Sequence, residues 1–163
     1  MLMNDFILRG AHRDDMPAVH QLICELAAYE RAPDEVSLTV SQLMRDGFDD
    51  PRRFDCFVAE HNGEIVGMAL CYLRYSTWKG ICYYLEDLIV TESFRGSGLG
   101  SALLRRVVQE AVDRGYYRTQ WQVLDWNTPS IEFYERAGAF VDKEWYDCKM
   151  DRKAMEAYLK RYE

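Results

Sequence analysis

The chain has 163 residues, 48% of them hydrophobic and 13% aromatic, which suits one packed domain over residues 1–163 and leaves too little for two. A formal net charge of −7 disfavours nucleic acid as a partner, because such binding draws on Lys and Arg to displace counterions from phosphates. No apolar run reaches the roughly 18 residues of a membrane span, and the opening MLMNDFILRGAHRDD lacks a basic segment followed by an apolar core, so neither membrane nor secretory signal is expected.

In chain order, DFILRGA (5–11) alternates and predicts a first strand. DDMPAVHQLICELAAYE (14–30) opens on an Asp cap and sets Val19, Leu22, Ile23 and Leu26 on one helical face. Residues 31–53 are polar and loop-rich around a short helical piece at 39–46, with Gly47 at its end. FDCFVAEHNGEIVGMALCYLRYS predicts a hairpin turning at Asn62-Gly63. Its second arm is apolar at both parities and so predicts a central strand covered on both faces. ICYYLEDLIV (81–90) is the next strand, and a glycine loop then leads into a helix that runs to Arg114 and stops at Gly115. TQWQVLDW (119–126) predicts another strand, and Thr128-Pro129 the cap and first turn of a short helix closed by Gly138. FVDKEWYDCKM predicts one or two short strands, and 151–163 a terminal amphipathic helix. This is a mixed α/β (α+β) pattern. The cysteines (Cys24, Cys56, Cys71, Cys82, Cys148) form no CxxC pair and are read as reduced thiols packed as small hydrophobes in a cytoplasmic protein.

The glycine loop, Arg95-Gly96-Ser97-Gly98-Leu99-Gly100, carries the chemistry. No Lys-Ser/Thr pair follows it, which excludes a nucleoside-triphosphate loop, and Ser101 stands where a dinucleotide fingerprint needs its third glycine. Glycines at the start of a helix leave backbone N–H groups open to a ligand, and the helix dipole favours an anion there; a pyrophosphate suits the place, and a plain turn is the alternative. Just upstream, Glu86-Asp87 interrupts an apolar strand. Strand neighbours point to opposite faces, so each carboxylate needs its own partner, either an arginine or a cleft in which one acts as a base. Asn127 and Tyr134 flank the start of the next helix. The histidines are scattered and no spacing suits a metal.

Together, RGSGLG and NTPSIEFYERAGA resemble the motifs of the GCN5-related N-acetyltransferase (GNAT) family, and ELAAYE, LEDLIV and LDWN resemble its spermidine/spermine and thialysine branch. The resemblance implies a mixed, mostly antiparallel central sheet flanked by helices and splayed between strands 81–90 and 119–126. It implies acetyl-CoA as cofactor, with the pyrophosphate on amides of Arg95, Gly96, Ser97, Gly98, Leu99, Gly100 and Ser101 and the pantetheine on the backbone of Leu88, Ile89 and Val90. Asn127 and Ser130 would be further contacts. Glu86 is the expected base, acting through a water, and Tyr134 the expected acid at the cofactor sulfur. A base is needed because an alkylammonium is no nucleophile at neutral pH. The acceptor site is expected around Tyr29, Glu30, Trp78 and Glu86, taking a small-molecule amine such as thialysine, a lysine-like amino acid, a diamine or a polyamine. A protein amine, an aminoglycoside and a non-catalytic acyl-CoA-binding role are the alternatives. Ser76-Thr77-Trp78 lacks the Asp-Pro that polyamine enzymes carry before the Trp, which favours the thialysine side. A homodimer is also implied.

Overall fold

The computed structural model describes residues 6–161. Residues 1–5, including Asp5 at the head of the expected first strand and the start of the segment read for a signal, lie outside the described residues, as do residues 162 and 163 at the tail of the expected last helix. The chain divides after Gln122 into two compact units.

The first unit is built on a five-stranded sheet in the order β1-β2-β3-β4-β5: β1 Ile7–Gly10, β2 Asp55–His61, β3 Glu64–Ser76, β4 Gly80–Val90 and β5 Arg118–Gln120. The first four are antiparallel in sequence, and β5 lies parallel to β4. The β2–β3 turn forms at Asn62-Gly63, where φ is 51° and 83°, the left-handed pair that a two-residue hairpin needs. Both parities of β2 and β3 are buried, as the apolar pattern predicts. On one face α1 (Met16–Tyr29) and α2 (Val40–Phe48) pack Met16, Val19, Leu22 and Leu43 against Cys56, Val58, Met68, Leu70 and Ile89. On the other face α3 (Leu99–Asp113) brings Leu103 close to Gly67, where an added Cβ would lie 3.3 Å from the leucine methyl and 3.1 Å from the Ile89 carbonyl.

Several expectations shift. The cap of α1 is Asp15, and its carboxylate is held by Arg9 and the His12 N–H instead of by the helix. Gly47 lies inside α2 instead of ending it: a Cβ there would sit 2.6 Å from the Phe54 ring, so the glycine admits that ring. The strand expected over 119–126 is only Arg118–Gln120, paired with Cys82, Tyr83 and Tyr84. Pairing ends two residues before a bulge at Glu86, and a bulge disrupts the ladder locally.

The second unit holds α4 (Thr128–Arg136) and α5 (Arg152–Leu159). α4 is capped by Asn127, whose side chain accepts the Ser130 N–H, and not by Thr128. No strand forms over 139–150 among the described residues. Without a neighbouring strand to pair with, local apolar character does not make a strand there, and Phe140, Trp145 and Tyr146 remain exposed.

Candidate active site

The bulge is the centre of the site. Across β3, Leu70 faces Asp87 and Cys71 faces Leu85, which leaves Glu86 as the extra residue on β4. An inserted residue breaks the strict alternation of the strand, so Glu86 and Asp87 line one cleft instead of parting to opposite faces. The cleft measures about 300 Å³ and lies on the α1/α2 side of the sheet. Its apolar wall comes from Ile23, Leu38, Leu43, Phe54 and Leu70, and its remaining charged members are Asp46 and Arg53.

Asp87 sits deeper than the exposed Glu86. Burial pushes the Asp87 carboxyl up to about 7, helped by the negative charges of Glu86 and Glu30. Tyr72, across on β3, hydrogen-bonds Glu86; burial first, then that charge and that bond, raise its hydroxyl to about 12, so it stays a donor at every physiological pH. The Tyr72 ring packs on Tyr84 with centroids 5.2 Å apart, which fixes the donor. The sequence singles out the pair Glu86-Asp87 and, through the resemblance, favours Glu86 of the two; it gives no sign of Tyr72 or Arg53. The bulge that recruits Asp87 has no sequence signature here beyond the adjacent acids.

The glycine loop follows β4. Gly96 and Gly98 have φ of 76° and 87°, and Gly98 is the residue preceding α3. α2, α4 and α5 are each capped by a side chain, from Thr39, Asn127 and Asp151. α3 has none, and its first amide bonded within the helix is that of Ala102, to the Gly98 carbonyl at 3.0 Å. The N–H groups of Leu99, Gly100 and Ser101 therefore point out of the helix start together with the positive end of a 15-residue dipole. At Gly100 neither positive φ nor crowding demands glycine, since a Cβ would meet only a Val90 methyl at 4.0 Å. What the missing Cβ leaves open is approach to the amides, and this cradle fits a pyrophosphate.

Arg95 and Ser97 brace the loop by their side chains: Arg95 Nε donates to the Val90 carbonyl at 3.0 Å, its guanidinium lies 5.0 Å from the Tyr29 ring centre, and Ser97 Oγ donates to the Phe94 carbonyl at 2.7 Å. Past Tyr84, no strand pairs with the outer edge of β4 among the described residues. The Thr91 N–H turns inward to the Val66 carbonyl. Strand alternation then sends the backbone groups of Leu88 and Val90 outward, with Ile89 facing β3. An extended amide chain can pair there with the groups of Leu88 and with the Val90 N–H, the Val90 carbonyl being held by Arg95.

Glu30 ends α1, close enough for its charge to be felt at Asp87. Trp78 does not join this site. It is 81% exposed on the β3–β4 turn, and the six residue steps of strand from Gly80 to Glu86 span roughly 20 Å, beyond the reach of an indole from the same chain. In the second unit, Asn127 and Tyr134 are buried, and the Tyr134 ring packs on Phe133 at 5.1 Å between centroids. Ser130 is half-buried beside the cap it completes. Cys56, Cys71 and Cys82 are buried in the sheet and none of the cysteines is in a disulfide. Burial raises the Cys56 thiol to about 12 and pushes that of Cys71 up as well, the opposite of an activated nucleophile. No helix among the described residues is long and apolar enough to cross a membrane.

The acetyltransferase (GNAT) family model matches residues 16–139. Thialysine N-epsilon-acetyltransferase of Bos taurus is 37% identical over 152 residues, covering 87% of this chain and 89% of its own length. Spermidine/spermine N(1)-acetyltransferase-like protein 1 of Homo sapiens is 35% identical over 163 residues, 94% of this chain and 24% of that longer protein. Among solved structures, an integron cassette protein from the mobile metagenome of V. cholerae superposes with a TM-score of 0.77 at 18% identity, over 96% of this chain and 98% of its own, and supports the fold alone.

Proposed function

The chain belongs to the acetyltransferase (GNAT) family and is an N-acetyltransferase acting on amines; from that premise we propose that it moves the acetyl group of acetyl-CoA directly to the primary amine of a small cationic acceptor such as thialysine, a lysine-like amino acid, a diamine or a polyamine. The observation that carries this reading is the pair Glu86 and Asp87 brought by the bulge to one cleft, on the strand that leads into the glycine loop and the uncapped start of α3.

Acetyl-CoA supplies the acetyl group as a thioester. The amides of the 95–101 loop hold its pyrophosphate, and the outward backbone groups of Leu88 and the Val90 N–H pair with the pantetheine. Glu86, held by Tyr72, meets the incoming ammonium together with Glu30. Asp87 takes the amine proton: a base poised near 7 is deprotonated often enough at neutral pH and still basic enough to accept. The sequence alone favours Glu86 in that role. The depth and raised pKa of Asp87 support a division in which Glu86 binds the cation and Asp87 removes the proton. A backbone N–H of the 86–90 segment holds the developing charge on the acetyl oxygen. Tyr134 gives a proton to the departing thiolate, a role supported by its place in the Phe133-Tyr134 pair of the Asn127-capped α4.

The reading is tested by thiol release from acetyl-CoA with thialysine, lysine, putrescine, spermidine, an aminoglycoside and a histone-tail peptide. Preferential turnover of the short amino acids and diamines is the expected result; a preference for the peptide or the aminoglycoside contradicts the small-acceptor reading. Gly98→Ala tests the loop. It places a Cβ at φ 87° and at the mouth of the amide cradle. The variant is expected to raise the Kd for CoA roughly ten-fold and to cost about 1 kcal/mol of stability, read by calorimetric titration and denaturation.

A further inference from the structure

We propose that Arg53 binds a carboxylate on the acceptor, so that the cleft selects an amino acid with a terminal amine over the diamine of the same chain length. The proposal rests on the acetyl-transfer reading above and names the half of the acceptor that reading leaves open.

The cleft is not uniformly acidic. Glu86 and Asp87 lie on β4, whereas Asp46 and Arg53 come from the end of α2 and the segment entering β2. Asp46 is already matched, since Arg45 bridges both its oxygens at 2.9 and 3.3 Å. Arg52 is likewise engaged, donating to the Phe54 carbonyl at 2.8 Å and lying 3.4 Å from Asp55. The guanidinium of Arg53 has no hydrogen bond or ion pair among the described residues. Its backbone is nevertheless anchored, because the Arg53 N–H donates to the Asp46 carbonyl at 2.7 Å and so ties the residue to the last turn of α2.

The charges felt at Asp87 are those of Glu86 and Glu30, both negative, and no cation is among them. Arg53 thus lines the same cleft without neutralising its carboxylate pair. Leu38, Leu43 and Phe54 line the same cleft and suit a run of methylenes. A molecule with an ammonium at one end, a short aliphatic stem and a carboxylate at the other meets a complement at each point. A diamine of equal length instead sets its second ammonium against the guanidinium, which costs attraction at the rim and gains nothing. Arg is the side chain best matched to a carboxylate, by two parallel N–H donors.

The test compares pairs of acceptors that differ only by the carboxylate, lysine with cadaverine and ornithine with putrescine, by kcat/KM in the wild type, Arg53→Ala and Arg53→Glu. The wild type is expected to prefer the carboxylated member of each pair. In Arg53→Ala the lysine-to-cadaverine ratio is expected to fall roughly 10- to 100-fold, the worth of one charge-assisted contact. The fall should be carried by KM for lysine and not by kcat, and Arg53→Glu should invert the preference. A ratio unchanged in Arg53→Ala, or a wild type that prefers the diamines, overturns the role of Arg53 while leaving acetyl transfer standing. Absence of turnover with every amine in the wild type overturns the acetyl-transfer reading and the role of Arg53 together. Circular dichroism and the KM for acetyl-CoA separate a loss of fold, which would raise both substrates' constants, from a loss confined to the acceptor.

Discussion

Asp87→Asn is expected to lower kcat by roughly 10²- to 10⁴-fold, the usual contribution of a positioned base, and to erase the inflection near pH 7 in kcat/KM. In the wild type, activity rises with pH as Asp87 loses its proton near 7, and what remains above that is the titration of the amine itself. The same substitution is expected to stabilise the fold. An unfolded Asp ionises near 3.8 and the folded Asp87 only near 7. Between these values the unfolded chain alone releases the proton, so folding stability declines as pH rises through that window, by up to about 4 kcal/mol. Asn carries no charge and escapes this cost. The melting temperature of Asp87→Asn should therefore exceed that of the wild type by roughly 5–10 °C at pH 8 and match it at pH 4. A variant that is slower and also less stable at pH 8 would instead mark Asp87 as a structural residue. Glu86→Gln distinguishes the two acids: removing the Glu86 charge lowers the pKa of Asp87, so the inflection moves to lower pH while KM for the amine rises.

Tyr134→Phe is expected to lower kcat by roughly 100-fold or more, as loss of a proton donor to the thiolate should, with the Kd for acetyl-CoA nearly unchanged. The change removes one oxygen from a buried ring and keeps its packing on Phe133. An interaction made only in the transition state appears in kcat and in kcat/KM alike, whereas a binding contact appears in KM. A thioester whose leaving thiol is already acidic should lose much less in this variant, because such a thiolate departs without help. Equal loss with both thioesters, accompanied by weaker cofactor binding, would make Tyr134 a binding residue.

How much of this the sequence discloses depends on whether the cause is local. The Asn62-Gly63 hairpin, the buried faces of β3 and the glycine entry to α3 are each set by a few adjacent residues and are read directly. Gly47 is misread because its reason is the Phe54 ring, which arrives from beyond α2. The segment 119–126 has strand-like composition, yet a strand exists only where a neighbour offers a ladder, and pairing with β4 stops at Tyr84, short of the bulge. That same bulge explains the largest gain over sequence reading. Alternation sends Glu86 and Asp87 to opposite faces, and one inserted residue turns them onto the same cleft, where Glu86 helps to raise Asp87. Trp78 fails as a same-chain acceptor contact for a matter of distance along β4 that no motif expresses.

The central claim is that the amine loses its proton in this cleft and takes the acetyl group directly. Initial rates measured with acetyl-CoA and lysine varied against each other test it most simply. The account predicts intersecting double-reciprocal lines, as both substrates must be bound at once for Asp87 and the thioester to act on one nitrogen. Parallel lines, with an acetylated protein seen by mass spectrometry when the amine is withheld, would show that a residue of the chain carries the acetyl group and would contradict it.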